Sequence, residues 1–120
     1  MSTQQTGAEG EEQAAQFLQA HGYRIIARNS AQRGGEIDIV ATVQQTLVFV
    51  EVKQRASNAF GGPLAAVTQT KQQRIARAAA QFVKAHPQLK YAQIRFDVIC
   101  MLPGETQHLE NAFCPARTTL

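Results

Sequence analysis

Two acids and a lysine in this chain stand at a spacing that suits a bound cation. Asp38 lies in Gly35-Glu36-Ile37-Asp38-Ile39-Val40, and Glu51 and Lys53 lie in Leu47-Val48-Phe49-Val50-Glu51-Val52-Lys53. Both segments are rich in β-branched residues and alternate in polarity, and the polar stretch Thr42 to Thr46 separates them, so they read as a β-hairpin. Alternation places Leu47, Phe49, Glu51 and Lys53 on one face of the second strand and Val48, Val50 and Val52 on the other. On the first strand, Glu36 and Asp38 share a face opposite Ile37 and Ile39. A turn centred on Gln44-Gln45 sets Asp38 directly across from Glu51, with Cβ atoms roughly 4.5–5.5 Å apart. Two carboxylates at that spacing repel unless positive charge sits between them. A divalent metal would supply that charge; so would Lys53, in which case the residues form only an ion-paired sheet face. The apolar residues on both faces imply partial burial, and buried charges need partners or a metal.

Mg²⁺ is a hard cation that typically binds through one or two carboxylates plus substrate phosphate. Asp38 and Glu51 are the expected ligands for Mg²⁺, or Mn²⁺ in its place. Such an ion would polarise a phosphodiester and activate water, and Lys53 on the same face would orient that water or offset developing charge.

The elements around the hairpin add two further residues. From Ala8 to His21 the pattern is helical, and Glu11 falls with Ala14, Ala15 and Leu18 on the apolar stripe, whereas Glu9 and Glu12 fall on the wet side. Glu11 is therefore expected to face the acids, holding a metal-bound water or helping to bind an ion. Gly22 ends this helix. A second helix is expected to end near His86, before Pro87, and to begin either near Pro63 or at a Thr70/Gln73 capping box. Its inward stripe is Lys71, Ile75, Ala78, Ala79 and Phe82, which brings Lys71 to the edge of the same cleft. Met1 to Thr6 reads as frayed, Tyr23 to Asn29 as a strand near an edge, and Ser30 to Gly35 as a loop. Ile94 to Leu102 reads as a clear strand and Gln107 to Phe113 as a weaker one. The order is α-β-β-β-α-β with an extra β, an α/β fold in which a mixed sheet is flanked by helices.

The remaining polar residues suggest less. His21 and His86 lie in last helical turns, His108 sits on the weak strand, and none has a partner at ligand spacing. Arg95 and Asp97 are expected to pair on the sheet face, with phosphate binding by Arg95 near the second helix as the alternative. Glu36 reads as a surface acid, with a further acid at the mouth of the site as the alternative. Cys100 and Cys114 show neither metal nor disulfide spacing and read as reduced core thiols.

Composition sets the partner class. The chain has 120 residues, one domain's length, and a net charge of +3. Residues 21–95 hold eleven of the twelve Lys and Arg against Glu36, Asp38 and Glu51 alone, a local charge of +8. A basic body with its acids gathered at one point suits a polyanion such as DNA. Lys71, Arg55, Arg74 and Arg33 are the expected nucleic-acid contacts. No apolar run is long enough to cross a membrane and no apolar leader opens the chain, so a cytoplasmic location is expected.

The ordered set Asp38, then Glu51-Val52-Lys53, resembles the PD-(D/E)xK nuclease superfamily, although Ile37 stands where proline is usual. More narrowly, Gly7-x-x-Gly10-Glu11, Gly35-Glu36-Ile37-Asp38, Phe49-Val50-Glu51-Val52-Lys53 and Arg95-Phe96-Asp97-Val98 resemble the uncharacterised bacterial YraN-like family, which is similar to archaeal Holliday-junction resolvases. The resemblance implies a restriction-endonuclease-like α-β-β-β-α-β core and adds the Val52 carbonyl to the expected metal ligands. It implies a Mg²⁺-dependent DNA endonuclease, acting on branched or structured DNA, with a homodimer if two strands are to be cut together. The alternative is a nucleic-acid-binding or scaffolding module on the same fold that retains the acids without turnover.

Overall fold

The computed structural model describes residues 3–32, 35–56 and 67–114. Its elements are α1 (Thr3–Ala20), β1 (Arg24–Gln32), β2 (Gly35–Val43), β3 (Thr46–Gln54), α2 (Gln69–Ala85), β4 (Gln93–Leu102) and β5 (Glu105–Leu109). β3 is the strand on which the others assemble. Thr46 to Val50 are all buried, as expected for a strand covered on both faces.

The five strands form one sheet in the order β1-β2-β3-β4-β5. β1, β2 and β3 make an antiparallel meander, β3 and β4 run parallel, and β5 returns antiparallel to β4. Parallel neighbours need a crossover, and α2 supplies it. The sheet is therefore mixed and flanked by helices, the α/β architecture expected from the sequence. β1 is an edge strand, also as expected.

Each face carries its own core. Leu47, Phe49, Phe96 and Val98 pack with Ile75, Ala78, Ala79 and Phe82 of α2. Val48, Val50, Ile39, Ala41 and Ile99 pack with Ala14, Ala15 and Leu18 of α1. α1 closes in a Schellman arrangement: the Tyr23 N–H donates to the Leu18 carbonyl at 3.0 Å and the Gly22 N–H to that of Gln19 at 3.1 Å. Gly22 takes the left-handed conformation at φ 88°, and Tyr23 packs in the same cluster as Leu18, the apolar contact that usually accompanies this motif.

Several boundaries differ from the sequence expectation. α1 begins at Thr3, earlier than Ala8. β1 runs on through Gln32 because Ser30 to Gln32 pair with Gly35 to Ile37, so most of the expected loop is strand. α2 is capped by Thr68, whose hydroxyl accepts the Lys71 N–H at 3.2 Å, rather than by Thr70; residues 57–66, including Pro63, lie outside the described region. β5 is earlier and shorter than Gln107–Phe113: it pairs from Glu105, and the left-handed Asn111 follows it. Cys100 is buried but Cys114 is exposed, and both are free.

One facial assignment also changes. Ile37 packs with the α2-side cluster and Ile39 with the α1-side cluster. The β2–β3 ladder runs from Val43/Thr46 only to Ile39/Val50, so beyond Ile39 the backbone of the strand pairs with β1 alone and no longer follows the pleat of β3. Among the described residues no helix is long and apolar enough to cross a membrane.

Candidate active site

The site forms where β2 and β3 part. The Asp38 carboxylate takes over from the backbone ladder: its Oδ2 accepts the Val52 N–H at 2.8 Å. Burial is the largest influence on this carboxyl, followed by the charge of Glu51; the charge of Glu11 and a hydrogen bond with the Glu51 carboxyl add to them. Against the Val52 N–H, which favours the ionised form, they push the Asp38 pKa up to about 7. Asp38 and Glu51 are thus in contact, and Glu11 is near enough for its charge to be felt.

Positive charge enters from β3 and α2. Lys53 Nζ lies 3.0 Å from Glu51 Oε1, and Lys71 Nζ lies 3.8 Å from the same oxygen. The Glu51 and Lys53 side chains are only 11% and 17% exposed, whereas Lys71 is 40% exposed. Alternation along β3 explains the pairing of Glu51 with Lys53 on one face. Lys71 stands in the first turn of α2, where the helix dipole disfavours a cation. Its position there places positive charge at Glu51 against local preference.

The two lysines also meet each other. The hydrogen bond with Lys53 is the main cause lowering the pKa of Lys71, with burial and the Lys53 charge acting in the same direction and the acids opposing. Burial tends to lower Lys53, but its hydrogen bonds with Lys71 and Glu51, together with the acidic charges, hold it above the ordinary lysine range. The cluster therefore relieves itself twice, by favouring the protonated form of Asp38 and by weakening the Lys71 ammonium.

Among the described residues, no three carboxylate, imidazole or thiol groups gather as a metal-binding cluster. Asp38 and Glu51 are a two-carboxylate pair with two ammonium groups beside it. Val52 enters through its N–H, which anchors Asp38. Glu36 is exposed. Of the expected nucleic-acid contacts, Lys71 is at the site and Arg74 is exposed beside Gly35. Arg55 stands past the end of β3, its N–H on the Met101 carbonyl at 3.0 Å. Arg33 lies outside the described residues.

A second polar cluster lies on the α1 face and corrects two expectations. Arg95 grips fully buried Asp97 in a fork, Nε to Oδ1 and a terminal nitrogen to Oδ2, both at 2.8 Å. The expected pairing holds, but the alternative placing Arg95 near α2 does not, because its neighbours Phe96 and Val98 occupy that face. His108 does have a partner: its Nε2 lies 2.7 Å from Asp97 Oδ2. The Asn111 N–H donates to Asp97 Oδ1 at 2.9 Å, and Arg95 donates to the Tyr23 hydroxyl at 2.6 Å. Burial acts to raise the Asp97 pKa, but His108, Arg95 and Asn111 outweigh it and hold the carboxyl below its usual range. Alternation on β4 and β5 carries the signal, since Ile99 faces His108 across the ladder and Asp97 is two residues away on the same face. With every buried polar side-chain atom among the described residues satisfied, this network acts as a structural tie between β4, β5 and Tyr23 at the entry to β1.

Comparison with known proteins places the chain in a wide kinship. The model of the "Uncharacterised protein family UPF0102" matches residues 10–101. A UPF0102 protein of Saccharophagus degradans is 43% identical over 109 residues, covering 91% of this chain and 92% of the relative. One from Geobacter metallireducens is 46% identical over 112 residues, covering 89% and 90%. One from Symbiobacterium thermophilum is 45% identical over 116 residues, covering 92% and 98%.

Proposed function

From a chain that belongs to the UPF0102 family, the YraN-like family that its motifs resemble, we propose a metal-dependent endonuclease that hydrolyses phosphodiester bonds in DNA. The observation that carries this reading is the contact between Asp38 and Glu51. Two acids pressed together, one of them titrating near 7, store repulsion that a divalent cation would relieve. A purely structural ion pair has no need of the second acid.

The donor set fits a hard cation. Asp38 and Glu51 supply the carboxylate oxygens that Mg²⁺ or Mn²⁺ takes, with substrate phosphate and water completing its shell. Glu11 and the Val52 carbonyl are the further candidates. Once bound, the ion would polarise the scissile phosphate and lower the pKa of an attacking water.

The chain's own residues prepare that reaction. The Val52 N–H fixes the orientation of Asp38. Lys53, held beside Glu51, is placed to orient a water or to stabilise charge on the phosphorane oxygens. Lys71, more exposed and loosely held, is free to turn to a non-bridging phosphate oxygen when DNA arrives. The basic segment around the site supplies sequence-independent affinity.

One observation favours a second reading, a DNA-binding module without turnover: Lys53 and Lys71 already neutralise Glu51 in the absence of any ion. Cleavage of linear, nicked, flapped and four-way DNA with and without Mg²⁺, using Asp38→Asn as control, separates the two. Metal-dependent cutting by wild type and none by Asp38→Asn supports the nuclease. Equal trace cutting by both proteins identifies contamination and leaves the binding module.

A further inference from the structure

Beyond the acids, the end of β3 opens on its other side into a groove of about 440 Å³, within the roughly 300–1,000 Å³ of small-molecule pockets. Its walls differ in chemistry. Its lining combines the amide-bearing Gln13 and Gln54, the apolar Met101, Leu102 and Pro103, and the cationic Arg55. Among the described residues no acidic side chain lines it.

The groove and the candidate site share the end of β3, one on each face of the strand. Gln54 and Arg55 directly follow Lys53, and Gln13 lies two residues beyond Glu11. The placement of Gln54 depends on Gly10: a Cβ there would come within 2.8 Å of the Gln54 side chain. The absence of a side chain at Gly10 is what allows this amide to lie close against α1.

We propose that this groove holds one unpaired base of a DNA strand whose neighbouring phosphate lies at Asp38 and Glu51. This rests on the nuclease reading and deepens it, naming DNA with a single-stranded nucleotide beside the cleavage point as the preferred substrate. The chemistry is matched on three sides. An apolar wall receives the base face, as side chains do in sites that take a base out of the stack. A primary amide carries both donors and an acceptor, so Gln13 and Gln54 can pair with the edge of any base without selecting sequence. Arg55 meets the phosphate that links the base to the duplex. A paired base cannot enter, because its edge is already occupied and its faces are stacked.

The test is binding of the full chain, in EDTA to prevent cutting, to two labelled duplexes of equal length, one blunt and one with a short single-stranded extension carrying 2-aminopurine next to the junction. Wild type should bind the extended duplex at least about fivefold more tightly, the lower end of what one base contact contributes, with a change in 2-aminopurine emission. Gln54→Ala, at an exposed side chain, should bring the ratio toward one while leaving blunt-duplex affinity and the melting temperature unchanged. Met101→Ala, which also removes packing against the α1-side core, should bring the ratio toward one under conditions where the variant is folded. Equal binding of both duplexes by wild type, or a preference that survives both substitutions, overturns the inference and leaves the nuclease reading standing. Failure to bind either duplex removes that reading and the inference with it.

Discussion

Asp38 on β2 accepts the Val52 N–H of β3 at 2.8 Å, just past the last backbone pair joining the two strands. A carboxylate here does the work of a carbonyl, bridging strands that are moving apart. The same contact fixes a charge beside Glu51 that the fold would be more stable without.

Asp38→Asn should therefore stabilise the metal-free protein. Its carbonyl oxygen can still accept from Val52, and its amide can donate to Glu51. Because the folded carboxyl titrates near 7 and an unfolded one near ~4, the native state binds more protons than the unfolded state between these values. Wild-type stability should fall as pH rises through that window, by a few kcal/mol at most, relative to the variant. Chemical denaturation of both proteins at pH 4 and pH 8 measures the difference; a variant less stable than wild type at pH 8 would contradict it.

Metal binding should reverse the penalty. At pH 8, millimolar Mg²⁺ should raise the melting temperature of wild type through linkage, and should leave Asp38→Asn and Glu51→Gln nearly unmoved. In the cleavage assay both substitutions should cost about a hundredfold or more. A magnesium response that persists in both variants would place the ion elsewhere.

The two lysines should separate stability from binding. Lys53 is well covered, so Lys53→Ala leaves Glu51 with only the longer contact to Lys71 and should destabilise the metal-free protein by about 1–3 kcal/mol. Lys71→Ala removes a cation from a helix start and a long, half-exposed ion pair, and should change stability by less than about 0.5 kcal/mol. Its loss should instead appear in DNA affinity. Equal destabilisation by both substitutions would make Lys71 a structural residue.

The Arg95–Asp97–His108 tie should behave as structure alone. Asp97→Asn should cost about 2–4 kcal/mol, since it removes the fully buried charge on which Arg95, His108 and the Asn111 N–H converge and leaves Arg95 only the longer contact to Glu110. Asp97 has its folded pKa lowered, so its contribution is present above the unfolded value of ~4 and is lost as pH falls through the folded one. Acid unfolding of wild type should therefore be steeper than that of the variant. Unchanged DNA cleavage per folded molecule would agree with this assignment, and a selective loss of turnover would overturn it.

DNA affinity should follow salt rather than sequence. Arg74 and Arg77 are exposed on α2, and changing either to Ala should weaken binding to all duplexes alike. Each change should reduce the slope of log affinity against log salt by about one. Loss at one DNA sequence only would indicate base reading.

Alternating polarity in Leu47 to Lys53 was enough to establish a doubly covered strand with Glu51 and Lys53 on one face, because side-chain direction along a strand has a fixed period of two. The helical period likewise placed Glu11 and Lys71 on inward edges, and hydrophobic segment order established the mixed α/β sheet. These are local rules, and the residues obeying them are legible one segment at a time. Tertiary structure decided what depends on where segments meet. Ile37 and Ile39 part company because β3 releases β2 after Ile39, which no periodicity records. His108 gains Asp97 through the β4–β5 register, set by a turn at Pro103-Gly104 whose end the sequence pattern placed too late. The meeting of Lys53 and Lys71 depends on Thr68 capping α2, so that one turn of helix carries the second ammonium to Glu51. Chain periodicity specifies which way a side chain points; only the packing of separate elements, through their distances and burial, specifies what it meets and how strongly each charge is felt.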